Sequence, residues 1–382
     1  MENPKTTTDG GGRLASLEGV RGIVALLVVL YHFTLLFYPR LYNGDSLSHN
    51  MLFEDIVRKS FFLGSLFNGR FLVLIFFVIG GFVLTIKYFN KGNLKILKST
   101  IYKRYFRLML PALVSILMAF VMMRFKMIGL RGAAEVTGSE WAAARFQMVP
   151  DLFTAVSNGI SGIFSTTVEG GATGYNASLW TIAWEFMGTF VACMIAILAK
   201  DSKAKWLLYG MLGFALKDSF LFSFVLGVLL ADLYSSGLLA KLGKGVSWVC
   251  LIASLFLGSL TGPHAFSADA GWLTSEFLST IAAALLMVGV LNLNIVDRIF
   301  SWKCFTVLGR YSFTIYLIHM ATLFSIGIWS FMQLLPIFGY DLSVLMTFGI
   351  FAVVTALVAI IFERLIDSPS AGFAKRISKL LE

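Results

Sequence analysis

Ten apolar stretches, each of spanning or near-spanning length, constrain this 382-residue chain more than any other feature. They run over about 20–38, 66–88, 107–124, 177–199, 204–217, 219–235, 246–262, 272–293, 310–332 and 342–364. Some twenty apolar residues are what a helix needs to cross a hydrocarbon core about 30 Å thick. The expected fold is therefore all-α, a polytopic membrane helix bundle of about ten transmembrane helices. Composition agrees: the chain is 58% hydrophobic and 14% charged, with a mean hydropathy of +0.81. The fifth stretch is short, and only Lys217 and Asp218 separate it from the sixth.

The net charge of +10 would suit a nucleic-acid binder only if the basic residues shared a soluble face. Here they fall between apolar stretches, so nucleic acid is not an expected partner and the lipid bilayer is. The segment after the second stretch carries Lys87, Lys91, Lys95, Lys98, Lys103, Arg104 and Arg107 with no acid, which assigns it to the cytoplasm. Alternation then puts both termini inside, and the outer loops 262–271 and 333–341 hold no Lys or Arg. The expected organisation is a disordered cytoplasmic N-terminus (1–16), a transmembrane domain (17–366) with external loops at about 39–65 and 125–176, and a cytoplasmic tail (367–382). Met1 to Gly12 is polar, so the first apolar run reads as a retained signal-anchor rather than a cleaved leader. The run Glu169-Gly170-Gly171-Ala172-Thr173-Gly174 reads either as a hinge or lid or as a plain connector. Asn176-Ala177-Ser178 is a formal glycosylation sequon too close to the bilayer to carry weight. Cys193, Cys250 and Cys304 show no paired spacing and read as buried small residues, and no metal-ligand pattern is present.

Polar residues inside the apolar stretches carry the functional signal. Arg21 and His32 are eleven residues apart, about 1100° of helix, so they share one face. An ionisable group at that depth is costly unless it faces protein or water, which makes it a functional candidate. His32 falls about 18 Å above the inner boundary and Glu185 about 12 Å below the outer one, the same level in a core about 30 Å thick. His32 and Glu185 can meet there, with His319 slightly deeper. Near the inner edge gather Arg21, Arg104, Arg107, Asp232, Arg310 and Glu363. A midplane histidine can take a proton from a hydroxyl with a carboxylate fixing its tautomer, and inner arginines suit a phosphorylated cytosolic ligand. Group transfer from a phosphate-bearing donor is the reading. The arginines also suit plain interfacial anchors, and His319 a satisfied core histidine. A proton-coupled secondary transporter using the same His/Glu pair is the alternative, against which stand the lack of a repeat and of paired broken helices.

The residues also resemble a family. Leu17-Glu18-Gly19-Val20-Arg21-Gly22 running on to His32 and Phe33 is similar to the first-helix signature of the membrane-bound acyltransferase 3 family. Asn68-Gly69-Arg70 with Phe76-Phe77-Val78-Ile79-Gly80-Gly81-Phe82 resembles its second-helix motif, with Gly80 where serine is usual. Tyr102-Lys103-Arg104-Tyr105-Phe106-Arg107-Leu108 with Pro111 resembles its basic motif, and Ser178-Leu179-Trp180 with Glu185 its Ser-Leu-Trp element. Gly309, Ser312, Tyr316 and His319 follow its late element, and Phe362-Glu363 its closing motif, with Leu365 in place of the usual proline. The resemblance implies O-acyl transfer from an acyl-coenzyme A, acetyl-coenzyme A above all, to a hydroxyl of a sugar, glycoconjugate or hydrophobic natural product. In enzyme terms that is transfer of groups other than amino-acyl groups, with no metal. By the same resemblance His32 is the base, Glu185 orients it, and Arg21, Arg104, Arg107 and Arg310 serve the donor. Trp180, Trp184, Tyr311, Ser312, Tyr316 and His319 line the substrate cavity, and Glu363 partners an inner-edge arginine. The expected location is the plasma (inner) membrane, or an endomembrane in a eukaryote.

Overall fold

The structure, a computed structural model, describes residues 10–128, 130–165, 172–262 and 274–381. It is 84% helical, with no strand among the described residues. Each apolar stretch coincides with a helix: α1 (Gly10–Phe37), α2 (Gly69–Lys91), α3 (Leu94–Arg124), α4 (Trp180–Ala199), α5 (Lys205–Ala215), α6 (Leu221–Ser235), α7 (Lys244–Leu260), α8 (Ser275–Asn292), α9 (Lys303–Thr322) and α10 (Tyr340–Phe362). A π-helical turn, Leu323–Gly327, joins α9 to Ile328–Phe338, and a second, Glu363–Asp367, joins α10 to Ser368–Leu381. Among the described residues seven helices are long and apolar enough to cross a membrane: α1, α2, α3, α4, α8 and the extended α9 and α10. Helices α5, α6 and α7 have 11, 15 and 17 residues, short of the roughly 20 that a perpendicular crossing takes. Length and composition thus support seven spans, not the full ten. Helix α1 begins at Gly10, within the polar 1–16 stretch, whose first nine residues lie outside the described ones. So do 169–171 of the Gly-rich run and nearly all of the loop 262–271.

Helix α1 is the shared element of two apolar cores. Val20, Val24 and Val28 pack into the core built on α2, α6 and α8. Val29, Phe33 and Leu36, further along, pack into the core built on α3, α9 and α10. Helices α1 and α9 cross at backbone distance because their contact is made of glycines. A Cβ on Gly22 would come within 2.6 Å of the Gly309 nitrogen, and one on Gly309 would overlap the Glu18 carbonyl. That crossing brings the polar faces of both helices to one seam.

The ends are tied by side chains. Asn68 caps α2 by accepting from the Arg70 and Phe71 amides (3.1 and 3.2 Å), and its amide donates to the Gly258 carbonyl at 2.7 Å, pinning the end of α7. Asn176 is buried and donates to the Leu317 carbonyl at 2.7 Å, so its amide is committed to α9. The 125–176 segment does not stay at the end of the bundle. Its helix Leu152–Ile160 lies along α3: Gly159 abuts Leu113, and the Tyr105 hydroxyl donates to the Ile160 carbonyl at 3.1 Å. Tyr105 sits about two turns before Leu113, about 28 Å from the Arg124 end at 1.5 Å per residue, so the segment re-enters beside the bundle wall. The cysteine expectation needs correction. Only Cys193 is buried, Cys250 is half-buried and Cys304 is exposed, because Cys304 lies in the first turn of α9 beyond the packed seam.

Candidate active site

Two histidines, not a histidine and a carboxylate, meet at the centre of the seam. His319 Nδ1 lies 3.1 Å from the Ile315 carbonyl oxygen and 2.8 Å from that of Tyr316, which can only accept, so this nitrogen carries the proton. His319 Nε2 is then an acceptor, 3.2 Å from His32 Nδ1. His32 Nδ1 also faces the Val28 carbonyl at 3.0 Å. With two acceptors before it, His32 Nδ1 must bear the hydrogen, and Nε2 is left with the free lone pair. The expected His32–Glu185 pair is thus corrected: Glu185 Oε2 lies 3.4 Å from Arg104 Nη2, and no hydrogen bond joins Glu185 to His32 among the described residues. Matching depth did not mean matching position, because Glu185 pairs with Arg104 of α3 and shares its chamber with Arg21 of α1, not with His32.

Three cavities run in series along this seam. At the end carrying the 39–65 segment, a cavity of about 690 Å³ is lined by Tyr31, His32, Tyr42, Asn68, Arg70, Trp141, Arg145, Trp180 and Tyr316 among others. A narrow chamber of about 40 Å³ follows, lined by Arg21, Phe76, Phe77, Thr181, Glu185, Ser312, Phe313 and Tyr316. It shares Val73 and Tyr316 with the first. The third, about 440 Å³ at the basic end, is lined by Glu18, Arg21, Arg107, Arg310, Ser312 and Phe313 and shares Arg21, Ser312 and Phe313 with the second. Tyr316 is therefore the partition before the histidine. Its hydroxyl donates to the Ser178 carbonyl at 2.8 Å, with Thr181 Oγ1 at 3.0 Å, which locks α9 to the start of α4.

At the basic end Arg310 Nε and Nη2 donate to one oxygen of Glu363 (2.9 and 2.7 Å), as the resemblance implied, and Arg107 Nη1 lies 3.3 Å from Asp367. The π turn at Glu363–Asp367 carries both acids. Arg104 lines none of these cavities and stands behind Glu185. Its Nε and the Ser312 hydroxyl are buried with no hydrogen-bond partner among the described residues. Three cavity assignments need correction. His319 is fully buried behind His32, Trp184 packs on Phe220 (5.2 Å between rings), and Tyr311 lies beneath the Arg310 guanidinium at 5.9 Å. The resemblance placed them by motif position, which carries no record of the layer of side chains in front.

Sequence reading missed the cover of the outer cavity. Trp141, on the short helix Glu140–Ala143, tilts over His32 with ring centres 5.6 Å apart, and Arg145 follows it into the same cavity. Both sit in a long segment without apolar periodicity, so no pattern marked them. Tyr31 presses against Gly69, where a Cβ would fall inside its ring, which gives the Asn68-Gly69-Arg70 motif its middle residue. Burial pushes the Tyr42 phenol well above its ordinary value, so it stays a neutral hydroxyl, 2.6 Å from Thr34 Oγ1.

No curated protein and no solved structure matches the chain. A family model described as "Acyltransferase domain" does, over residues 14–364, which takes in nearly all of α1, α2 through α10 and every residue lining the three cavities. The chain belongs to the acyltransferase 3 family.

Proposed function

We propose that this membrane acyltransferase moves a short acyl group, acetyl above all, from acyl-coenzyme A to a hydroxyl of a sugar, glycoconjugate or hydrophobic natural product. His32 is the general base. The observation that carries this reading is the histidine pair: its hydrogen bonds leave His32 Nε2 with a free lone pair on a residue that lines the largest cavity of the seam. The basic end faces the cytoplasm and admits the donor. Arg310 and Arg107 are held in place by Glu363 and Asp367, and with Arg21 they line a cavity whose one lining acid is Glu18, so their remaining N–H groups suit phosphate oxygens, and the Ser312 hydroxyl stands at the next constriction.

His32 Nε2 takes the acceptor's hydroxyl proton as its oxygen attacks the thioester carbonyl. The new C–O bond forms, the C–S bond breaks, and the proton passes from imidazolium to the leaving thiolate. His319 accepts from Nδ1 throughout and strengthens its hold when His32 becomes cationic. Arg21, in the narrow chamber, is placed to stabilise the carbonyl oxygen as it gains charge. Arg104 works through Glu185. The site sits in the plasma (inner) membrane under this reading.

The test is release of free coenzyme A by purified protein over donors from acetyl to palmitoyl, wild type against His32→Ala. General-base loss lowers turnover by about 10²–10⁴-fold with donor binding retained. Full turnover in His32→Ala would sink the assignment of the base. Flux driven by a pH gradient, without consumption of donor, would favour the transporter.

A further inference from the structure

The outer cavity is one-sided in charge. Arg70 and Arg145 line it, and no carboxylate does among its described lining residues. The two arginines differ. Arg70 is engaged, with Nη1 3.1 Å from Glu276 Oε1 and 2.6 Å from the Ser275 hydroxyl. Arg145 has no carboxylate within ion-pair distance among the described residues. Its Nε donates to the Trp141 carbonyl at 3.3 Å, and its guanidinium lies 5.4 Å from the centre of the Trp141 ring. That leaves the terminal nitrogens of a half-buried cation without an acceptor among the described residues, and within electrostatic reach of both Tyr31 and His32. A partly desolvated charge with no counter-ion is unfavourable until an anion pairs with it.

We infer that Arg145, steadied by Trp141, binds an anionic group on the hydroxyl-bearing acceptor, a carboxylate or a phosphate, and so aims the neighbouring hydroxyl at His32. The inference rests on the acyl-transfer reading for the identity of the ligand and on the cavity alone for its charge. The guanidinium edge offers paired N–H groups that match either anion. Trp141 touches both the guanidinium and the imidazole, so the two sites are separated by one indole, about the reach of a single sugar ring with a hydrogen bond at each end. Trp180 and Tyr316 line the same cavity and supply further aromatic surface for a sugar ring. An acceptor lacking the anion would leave Arg145 as unpaired as it is now.

Calorimetric binding at low salt to the purified protein tests this with matched probes: glucuronate against glucose, and glycerol 3-phosphate against glycerol. The expected result is at least about tenfold tighter binding of the charged member of one or both pairs by wild type, since a hydrogen bond to a charged group is the stronger kind. The pair that responds says whether the anion is carboxylate or phosphate. Arg145→Gln removes the preference and Arg145→Lys keeps part of it. Equal binding of charged and neutral probes by wild type overturns the inference and needs no variant. A preference that persists in Arg145→Gln overturns it too, because it then belongs to Arg70 or to the arginines of the basic end. Failure of the acyl-transfer reading is separate: charged probes still bind in an Arg145-dependent way, but no donor is consumed in their presence.

Discussion

Replacing His319 tests the histidine pair most directly. In His319→Ala, His32 Nδ1 keeps one acceptor, the Val28 carbonyl at 3.0 Å, so the tautomer survives and only the share held by His319 is lost. A hydrogen bond between neutral groups is worth about 0.5–1.5 kcal/mol and one to a charged group about 1.5–3 kcal/mol. His32 is neutral before proton transfer and imidazolium-like in the transition state. The difference, about 1–2 kcal/mol, falls on the barrier and lowers kcat about 5- to 30-fold. KM for the donor stays put, because His319 is fully buried and touches no cavity. The assay is the steady-state release of coenzyme A, with thermal unfolding of each variant as the control for folding. His319→Gln, whose side-chain carbonyl can accept from His32, recovers most of the loss. A kcat within twofold of wild type in His319→Ala would refute the reasoning. So would a pure kcat loss of this size in Glu185→Gln with the His319 variants silent, which would return Glu185 to the role of orienting group.

The remaining predictions concern what holds the seam. Gly309→Val drives a branched side chain into the Glu18 carbonyl, an overpacking that costs about 1–3 kcal/mol and lowers the thermal midpoint in detergent; an unchanged midpoint would mean that α1 and α9 can part. Lys205→Met strands Asp232, buried and held by Lys205 Nζ at 2.9 Å and the Tyr209 hydroxyl at 3.3 Å, so destabilisation of about 3–5 kcal/mol is expected, read as early protease cleavage near α5. The Arg104–Glu185 pair keeps a quarter of the Glu185 side chain exposed, so its coupling is smaller, about 1 kcal/mol. A double-mutant cycle with Arg104→Gln and Glu185→Gln measures it by unfolding, and additive losses would show that the two do not interact.

Hydropathy alone determined the all-α membrane architecture, because a bilayer demands long apolar helices and leaves a record of each in the sequence. Periodicity also put Arg21 and His32 on one face of α1, since eleven residues close three turns whatever surrounds them. Charge in the connections suggested an orientation for the same reason: it is counted along the chain. Partnership was another matter. Depth along separate helices is additive and legible, but the rotation of α4 about its axis is set by its packing against α2, α6 and α3 together, and that rotation gave Glu185 to Arg104. The π turns at Leu323–Gly327 and Glu363–Asp367 interrupt regular periodicity with no sequence mark, and the second aims Glu363 and Asp367 at Arg310 and Arg107. Trp141 and Arg145 reach the histidine only because a long segment folds back over the cavity. Contacts between residues so distant in the chain depend on where backbones come to rest, so only the tertiary structure could decide which side chain stands beside His32.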